Sequence, residues 1–156
     1  PNLTVRENLE LMAGIHGYAK IEVKEKTANM ITAFSLQPYE NQKSKTLSGG
    51  WQRKLSIALA LISEPKILFL DEPTLGLDII GRRELWGLIE RLKEKTTIVL
   101  TTHYLEEAEA LCDRICVMRD GKVKAIGTAK ELLSMTNTGN FEDAFVKIVT
   151  KEEGVG

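Results

Sequence analysis

The chain has no apolar run that approaches the roughly 20 residues a membrane helix requires. Its longest runs, Ala58 to Ile62 and Ile67 to Leu70, stop after a few residues, so the chain is not expected to span a bilayer. It also lacks an excess of charge of either sign, because 21 basic residues face 22 acidic ones for a formal charge of -1. That balance provides no field to gather nucleic acid or an anionic membrane. Any anion has to be bound by local geometry, and no nucleic acid is expected among the partners. Cysteine is scarce: Cys112 and Cys116 are the only two. Without metal-ligand companions or enough pairs to staple a secreted scaffold, they are expected to be buried thiols in a reducing cytoplasm. Pro1 to Thr4 offers neither an initiator methionine nor the basic and apolar segments of a signal peptide, which leads to the expectation that the natural protein begins further upstream. Repeats and low-complexity segments are missing too. What remains is a chain of 156 residues, 43% hydrophobic, long enough and apolar enough for one domain with a real core.

The first third reads as helical. Thr4 and Glu7 have capping-box spacing and open a helix from about Val5 to Ala13. Gly14 and Gly17 close it. A second helix is expected between about Val23 and Phe34, with Val23, Thr27, Met30, Ile31 and Phe34 on one face, before Gln37, Pro38 and Tyr39 break it. Glu40 to Thr46 is a polar loop. From Trp51 the apolar residues Leu55, Ala58, Leu59 and Ile62 follow helical spacing until Pro65. Ile67 to Leu70 then reads as a short strand buried in a parallel sheet. Helical spacing returns at Leu85, Leu88, Ile89 and Leu92, followed by a strand at Thr97 to Thr102. The remainder predicts a helix from about Tyr104 to Leu111, strands at Arg114 to Met118 and Lys122 to Ile126 joined by an Asp120-Gly121 turn, and helices near Ala129 to Ser134 and Phe141 to Val149. Lys151 to Gly156 is expected to fray.

Two stretches carry chemistry. Asp71 and Glu72 directly follow the apolar strand, at the carboxyl edge where open parallel sheets bind ligands. A carboxylate there can hold Mg²⁺ through water, and a second beside it can polarise a water for attack on a γ-phosphate. The plainer alternative is that Asp-Glu-Pro ends a strand, with Pro73 biasing Glu72 toward an extended backbone. Ser48, Gly49 and Gly50 immediately precede the helix that carries Leu55 to Ile62, so free N–H groups and two residues without bulk lie where an anion can approach. A Ser-capped turn is the competing reading. Arg53 and Lys54 weigh against it, because cations in a first helical turn oppose the helix dipole unless an anion is nearby. Trp51 lies on the apolar stripe and reads as packing. His103 follows the Thr97 to Thr102 strand, where an imidazole can hydrogen-bond a γ-phosphate, although a lone histidine is more often structural.

The order of LSGGW, ILFLDEP, Gly76-Leu77-Asp78 and TTH resembles the nucleotide-binding domain of the ATP-binding cassette (ABC) superfamily, over nearly the whole chain. The resemblance implies an α/β fold, a partial P-loop NTPase (RecA-like) parallel sheet preceded by an all-helical subdomain. It divides the chain into a helical subdomain at 1–63, a partial ATPase core at 64–136 and a C-terminal helix and tail at 137–156. By the same resemblance Ser48, Gly49 and Gly50 belong to the signature motif, Asp71 is the Walker B aspartate, Glu72 the catalytic glutamate, Asp78 a D-loop residue and His103 the switch histidine. LSGGW departs from the usual LSGGQ, and Gln52, one place later, is expected to replace the missing glutamine in part. No stretch qualifies as Walker A. Gly76 to Gly81 has the glycine spacing, but Arg82 and Arg83 stand where Lys and Ser/Thr belong.

The resemblance therefore implies a fragment of an ATPase subunit that uses ATP and Mg²⁺. Its implied partners are a second nucleotide-binding domain, paired head to tail, and a transmembrane permease, which would keep it cytoplasmic and peripheral to the membrane. NLTVRENL at the start, and GTAKELL with FEDAFVKIV at the end, resemble the drug, lipid or polysaccharide exporter branch. The fragment alone is expected to be inactive and to expose unpaired strand edges that favour dimers. Two other classes stay open at this point: a soluble ABC protein of translation or DNA repair, and a non-enzymatic interaction module.

Overall fold

The computed structural model describes residues 2–150; the expected frayed segment, residues 151–156, lies outside the described residues. Helix α1 (Val5–Ile15) begins where Thr4 and Glu7 satisfy each other. Thr4 Oγ1 accepts from the Glu7 N–H at 3.1 Å, and Glu7 Oε2 accepts from the Thr4 N–H at 2.8 Å. Helix α2 (Lys20–Ala33) starts earlier than its apolar periodicity suggests. Glu22 reaches back to accept from the Ala19 N–H at 2.8 Å, supplying the reciprocal half of a capping box without a Ser or Thr. Single 3₁₀ turns at Gln37–Tyr39 and Ser44–Thr46 occupy the loop before α3 (Gly49–Leu61).

The chain divides into two compact units, Pro1–Thr101 and Thr102–Gly156. In the first, α1 lies against α2 and α3, and these helices bury Val5, Leu9, Ala13, Ile31, Leu55 and Ala58. Lys26 of α2 bonds Glu64, just past α3, at 2.6 Å, and this carboxylate holds the Lys26 ammonium above its usual pKa. Strand β1 (Ile67–Asp71) pairs in parallel with β2 (Thr97–Thr101), Ile67 facing Thr97 and Asp71 facing Thr101. Helix α4 (Ile79–Leu92) connects them and buries Leu85, Leu88 and Ile89.

One expectation fails here. The apolar run of β1 predicts burial on both faces, yet only Leu68 and Leu70 are buried, while Ile67 and Phe69 are 53% and 75% exposed. Successive strand side chains point to opposite faces, and this unit covers only one of them.

In the second unit, β3 (Ile115–Arg119) and β4 (Lys122–Gly127) form an antiparallel hairpin with a register shift between Val117 and Met118. Asp120 and Gly121 both have positive φ, 53° and 73°, the turn that matches the twist of a two-residue hairpin. Helices α5 (Leu105–Leu111), α6 (Ala129–Thr136) and α7 (Phe141–Thr150) complete the unit. Its core gathers Ile115, Val117, Leu132, Phe141, Ala144 and Ile148. Cys116 alternates with the buried Ile115 and Val117 and is exposed, whereas Cys112 is half-buried, so neither thiol is buried as the sequence led us to expect.

Candidate functional site

The head of α3 is held open. Ser48 has the extended backbone of an N-cap, φ -64° and ψ 160°, but its side chain makes no capping bond. The Ser-capped turn, the plainer reading of this stretch, is not what forms. The first helical bond runs instead from the Gln52 N–H to the Ser48 carbonyl at 2.9 Å. Gln52 turns its side chain back, donating from Nε2 to the Leu47 carbonyl at 2.9 Å. It borders a groove of about 390 Å³ with Asn8 and Lys45, on the side of α3 that faces α1.

Trp51 is half-buried and stacks on Tyr39, ring centroids 4.5 Å apart and tilted by 45°. The Lys54 ammonium lies 4.2 Å from the centre of the Trp51 ring and 2.7 Å from a carboxylate oxygen of Glu84. Glu84 thus balances one of the two cations at the head of α3, and the case for an anion there rests on the uncapped turn and Arg53. Nothing in the sequence announces this cluster, because Lys54 and Glu84 are thirty residues apart and belong to no common periodicity.

The two acids close β1. Asp71 is exposed and its Oδ1 accepts a hydrogen bond from the Thr101 hydroxyl on the neighbouring strand. Glu72 donates its backbone N–H to the Thr101 carbonyl at 3.0 Å, the last rung of the parallel ladder. Its backbone is not the extended one that the plainer strand-end alternative with Pro73 required. It has φ +46°, a left-handed conformation that non-glycine residues seldom adopt and that costs on the order of 1 kcal/mol. That twist starts a tight turn, in which the Leu75 N–H bonds the Glu72 carbonyl and the Leu77 N–H bonds the Thr74 carbonyl, both at 3.1 Å. Pro73 and Thr74 are buried beneath it. Gly76, at φ +78°, supplies the next left-handed residue without penalty.

Asp78 ends this turn and caps α4, its Oδ1 accepting from the Gly81 N–H at 2.7 Å. Gly76 and Gly81 therefore serve a turn and a helix start. A side chain at Gly50 would meet Leu77 Cδ2 at 3.7 Å, so the Ser48–Gly50 turn lies against the turn that carries Asp78. A groove of about 260 Å³ lies between α3 and β1, where Arg53, Ser56 and Ala60 face Phe69, Asp71 and Pro73. Among the described residues no group of three or more His, Cys, Asp or Glu side chains could hold a metal. A divalent ion at Asp71 would thus depend on ligands from water and phosphate, the mode Mg²⁺ prefers. Asp71 fits that mode, being exposed and using one carboxylate oxygen on Thr101. His103 belongs to the second unit, where its exposed ring stacks on Tyr104 at 4.2 Å.

The family model described as ABC transporter matches residues 1–75. The daunorubicin/doxorubicin resistance ATP-binding protein DrrA of Streptomyces peucetius is 44% identical over 133 residues, 85% of this chain and 40% of that protein. The phospholipid-transporting ATPase ABCA3 of Homo sapiens is also 44% identical, over 128 residues, 82% of this chain and 8% of that protein. The chain belongs to the ABC transporter family. It spans less than half the length of the first of these relatives and under a tenth of the second, so it corresponds to part of an ABC protein. A solved ATP-binding subunit of an ABC transporter superposes with a TM-score of 0.78 at 29% identity, covering 94% of this chain and 62% of that one. The mixed α/β architecture with a parallel sheet is therefore that of an ABC ATP-binding subunit, as the motif order led us to expect. No helix among the described residues is long and apolar enough to cross a membrane.

Proposed function

We propose that this chain is part of the ATP-hydrolysing subunit of an exporter-type ABC transporter. The observation that carries the reading is the pair Asp71 and Glu72 at the carboxyl end of a parallel strand, with Glu72 held in a left-handed backbone. Strained backbones cluster at functional sites, and this edge is where open parallel sheets bind ligands. The names of DrrA and ABCA3, a drug-resistance protein and a phospholipid transporter, support the exporter assignment.

In this reading Asp71 takes one ligand position on Mg²⁺, whose charge would neutralise the phosphate oxygens of ATP. Glu72 orients and deprotonates the attacking water, and His103 hydrogen-bonds the γ-phosphate. The uncapped N–H groups after Ser48, with Gly49 and Gly50, receive the phosphate of a nucleotide held by a second nucleotide-binding domain, head to tail. Asp78 and Gln52 shape the two turns beside that nucleotide, Asp78 through its cap on α4 and Gln52 through its bond to Leu47. A transmembrane permease is the remaining partner, placing the domain at the cytoplasmic face of the membrane.

No Gly-x-x-x-x-Gly-Lys-Ser/Thr loop occurs in the 156 residues, so the chain alone is expected to hydrolyse no ATP. In the longer protein that carries it, Glu72→Gln should lower ATP turnover by about 10²- to 10⁴-fold while nucleotide binding persists. Turnover by the isolated chain that Glu72→Gln abolishes would overturn the first statement. A longer protein whose turnover survives Glu72→Gln would overturn the second.

A further inference from the structure

The heads of α3 and α4 approach each other at two levels. At the first, Gly50 faces the turn that leads to Asp78, where a Cβ would stand 3.7 Å from Leu77 Cδ2. At the second, Lys54 Nζ donates to Glu84 Oε2 at 2.7 Å. Residues four apart on a helix share a face, so both approaches lie on one side of α3, separated by about 6 Å of helical rise. The Leu77 approach is apolar and sets no direction. The charge-assisted bond of Lys54 is directional, and with it the two segments can no longer pivot about Leu77. The Lys54 side chain is only 13% exposed, and an ammonium so far withdrawn from water needs partners. Glu84 is one, and the face of Trp51, its ring centre 4.2 Å away, is another. Trp51 in turn stacks on Tyr39, in the 3₁₀ turn Gln37–Tyr39. With Ser48 making no capping bond, the row Tyr39, Trp51, Lys54 and Glu84 ties the head of α3 to the segments on either side.

We propose that Lys54 and Glu84 are positioning residues, an ionic strap that sets the Ser48–Gly50 turn against the turn carrying Asp78 so that both meet one nucleotide. The inference rests on the reading above, in which Ser48–Gly50 receives the nucleotide held by a second domain. Lys54 and Glu84 act through the backbone of the two turns and leave the reacting atoms alone. Donors held in place before the ligand arrives bind it without an ordering cost. Cutting the strap lets the Ser48–Gly50 N–H groups swing relative to Asp78, which weakens the hold on the nucleotide in its ground and transition states alike. A loss of that kind raises KM and spares kcat. A pair that served stability alone would instead lower the amount of folded enzyme, and so kcat, at constant KM.

The test is steady-state ATP turnover by the longer protein that carries this chain. Lys54→Met and Glu84→Gln should each raise KM for ATP about three- to tenfold, with kcat held within about twofold. The double variant should be no worse than the worse single one, because both remove the same interaction. Lys54→Arg keeps a cation that stacks on Trp51 and bonds a carboxylate, so its KM should stay near the native value. Ser48→Asp preserves a good N-cap but sets a carboxylate against the phosphate, and should raise KM by about tenfold or more whatever the strap does. If Ser48→Asp raises KM while Lys54→Met and Glu84→Gln leave it unchanged, the strap is overturned and the reading of the Ser48–Gly50 turn stands. An unchanged KM in Ser48→Asp overturns that reading, and the positioning role with it. A fall in kcat at constant KM, additive effects in the double variant, or a Lys54→Arg protein no better than Lys54→Met each overturn the positioning role.

Discussion

Replacing Asp78 by alanine tests whether this residue acts first as a helix cap. Its carboxylate accepts from the Gly81 N–H at 2.7 Å and sits at the positive end of α4, the helix that buries Leu85, Leu88 and Ile89. Loss of an N-cap acceptor costs about 1 kcal/mol. Loss of the negative charge at the dipole adds about 0.3 to 1 kcal/mol, toward the low end because Asp78 is exposed. Asp78→Ala should therefore destabilise the first unit by about 1.5 kcal/mol, and Asp78→Asn, which keeps the acceptor, by about 0.5 kcal/mol or less.

Gly81 sharpens the test. A Cβ there would stand 3.0 Å from Asp78 Oδ1 and crowd the capping carboxylate. Gly81→Ala gains up to about 1 kcal/mol of helix propensity but disturbs the cap, so in the native background the terms oppose each other. Once Asp78 is alanine, only the gain remains. Urea unfolding of the four proteins, with m unchanged, reads these differences as shifts in midpoint. An unmoved midpoint in Asp78→Ala, or an equal effect of Gly81→Ala in both backgrounds, would refute this capping role for Asp78. The assay contains no nucleotide, so any loss is separate from a part Asp78 plays in ATP binding.

Leu9, fully buried where α1 meets its neighbours, should cost about 2 to 5 kcal/mol when truncated to alanine, and a urea midpoint equivalent to less than 1 kcal/mol would show that the site collapses around the cavity. Glu131 is held below its usual value of 4.5, first by the backbone N–H of Thr128 and then by the Thr128 side chain. Its folded pKa lies below the unfolded one, so its contribution is present above about 4.5 and is lost as pH falls through the folded value. The urea midpoint should accordingly decline with acid in that range, and Glu131→Gln should flatten this decline; an identical pH dependence in the variant would refute the linkage.

Much of this architecture is legible in the residues because local rules agree. Thr4 with Glu7 fixes the start of α1, Asp120-Gly121 fixes the hairpin, and the spacing of Leu85, Leu88 and Ile89 fixes the buried face of α4. The same holds for the motif order, which identifies the family before any distance is known. What escaped has a common cause in contacts that local pattern does not encode. The run Ile67 to Leu70 says that both faces of β1 suit burial, but it cannot say that a cover for both lies within this unit. Pro73 favours an extended Glu72 in isolation; the turn built on Thr74 and Gly76 overrides it. Glu22 begins α2 early by a reach to Ala19 that apolar periodicity does not register. The pairing of Lys54 with Glu84 and Trp51 joins distant segments and changes what a cation in a first helical turn signifies.

The left-handed backbone at Glu72 also governs which substitution is a fair control for chemistry at this position. Glutamine inherits the same φ of +46° and the same conformational penalty, so Glu72→Gln removes a proton acceptor while leaving the turn as costly as before. Glycine would not. Freed of a Cβ, it would relax the turn and stabilise the fold by up to about 1 kcal/mol. Lost turnover in Glu72→Gly would then mix absent chemistry with a firmer loop, and a thermal-shift gain would be the sign of that confusion.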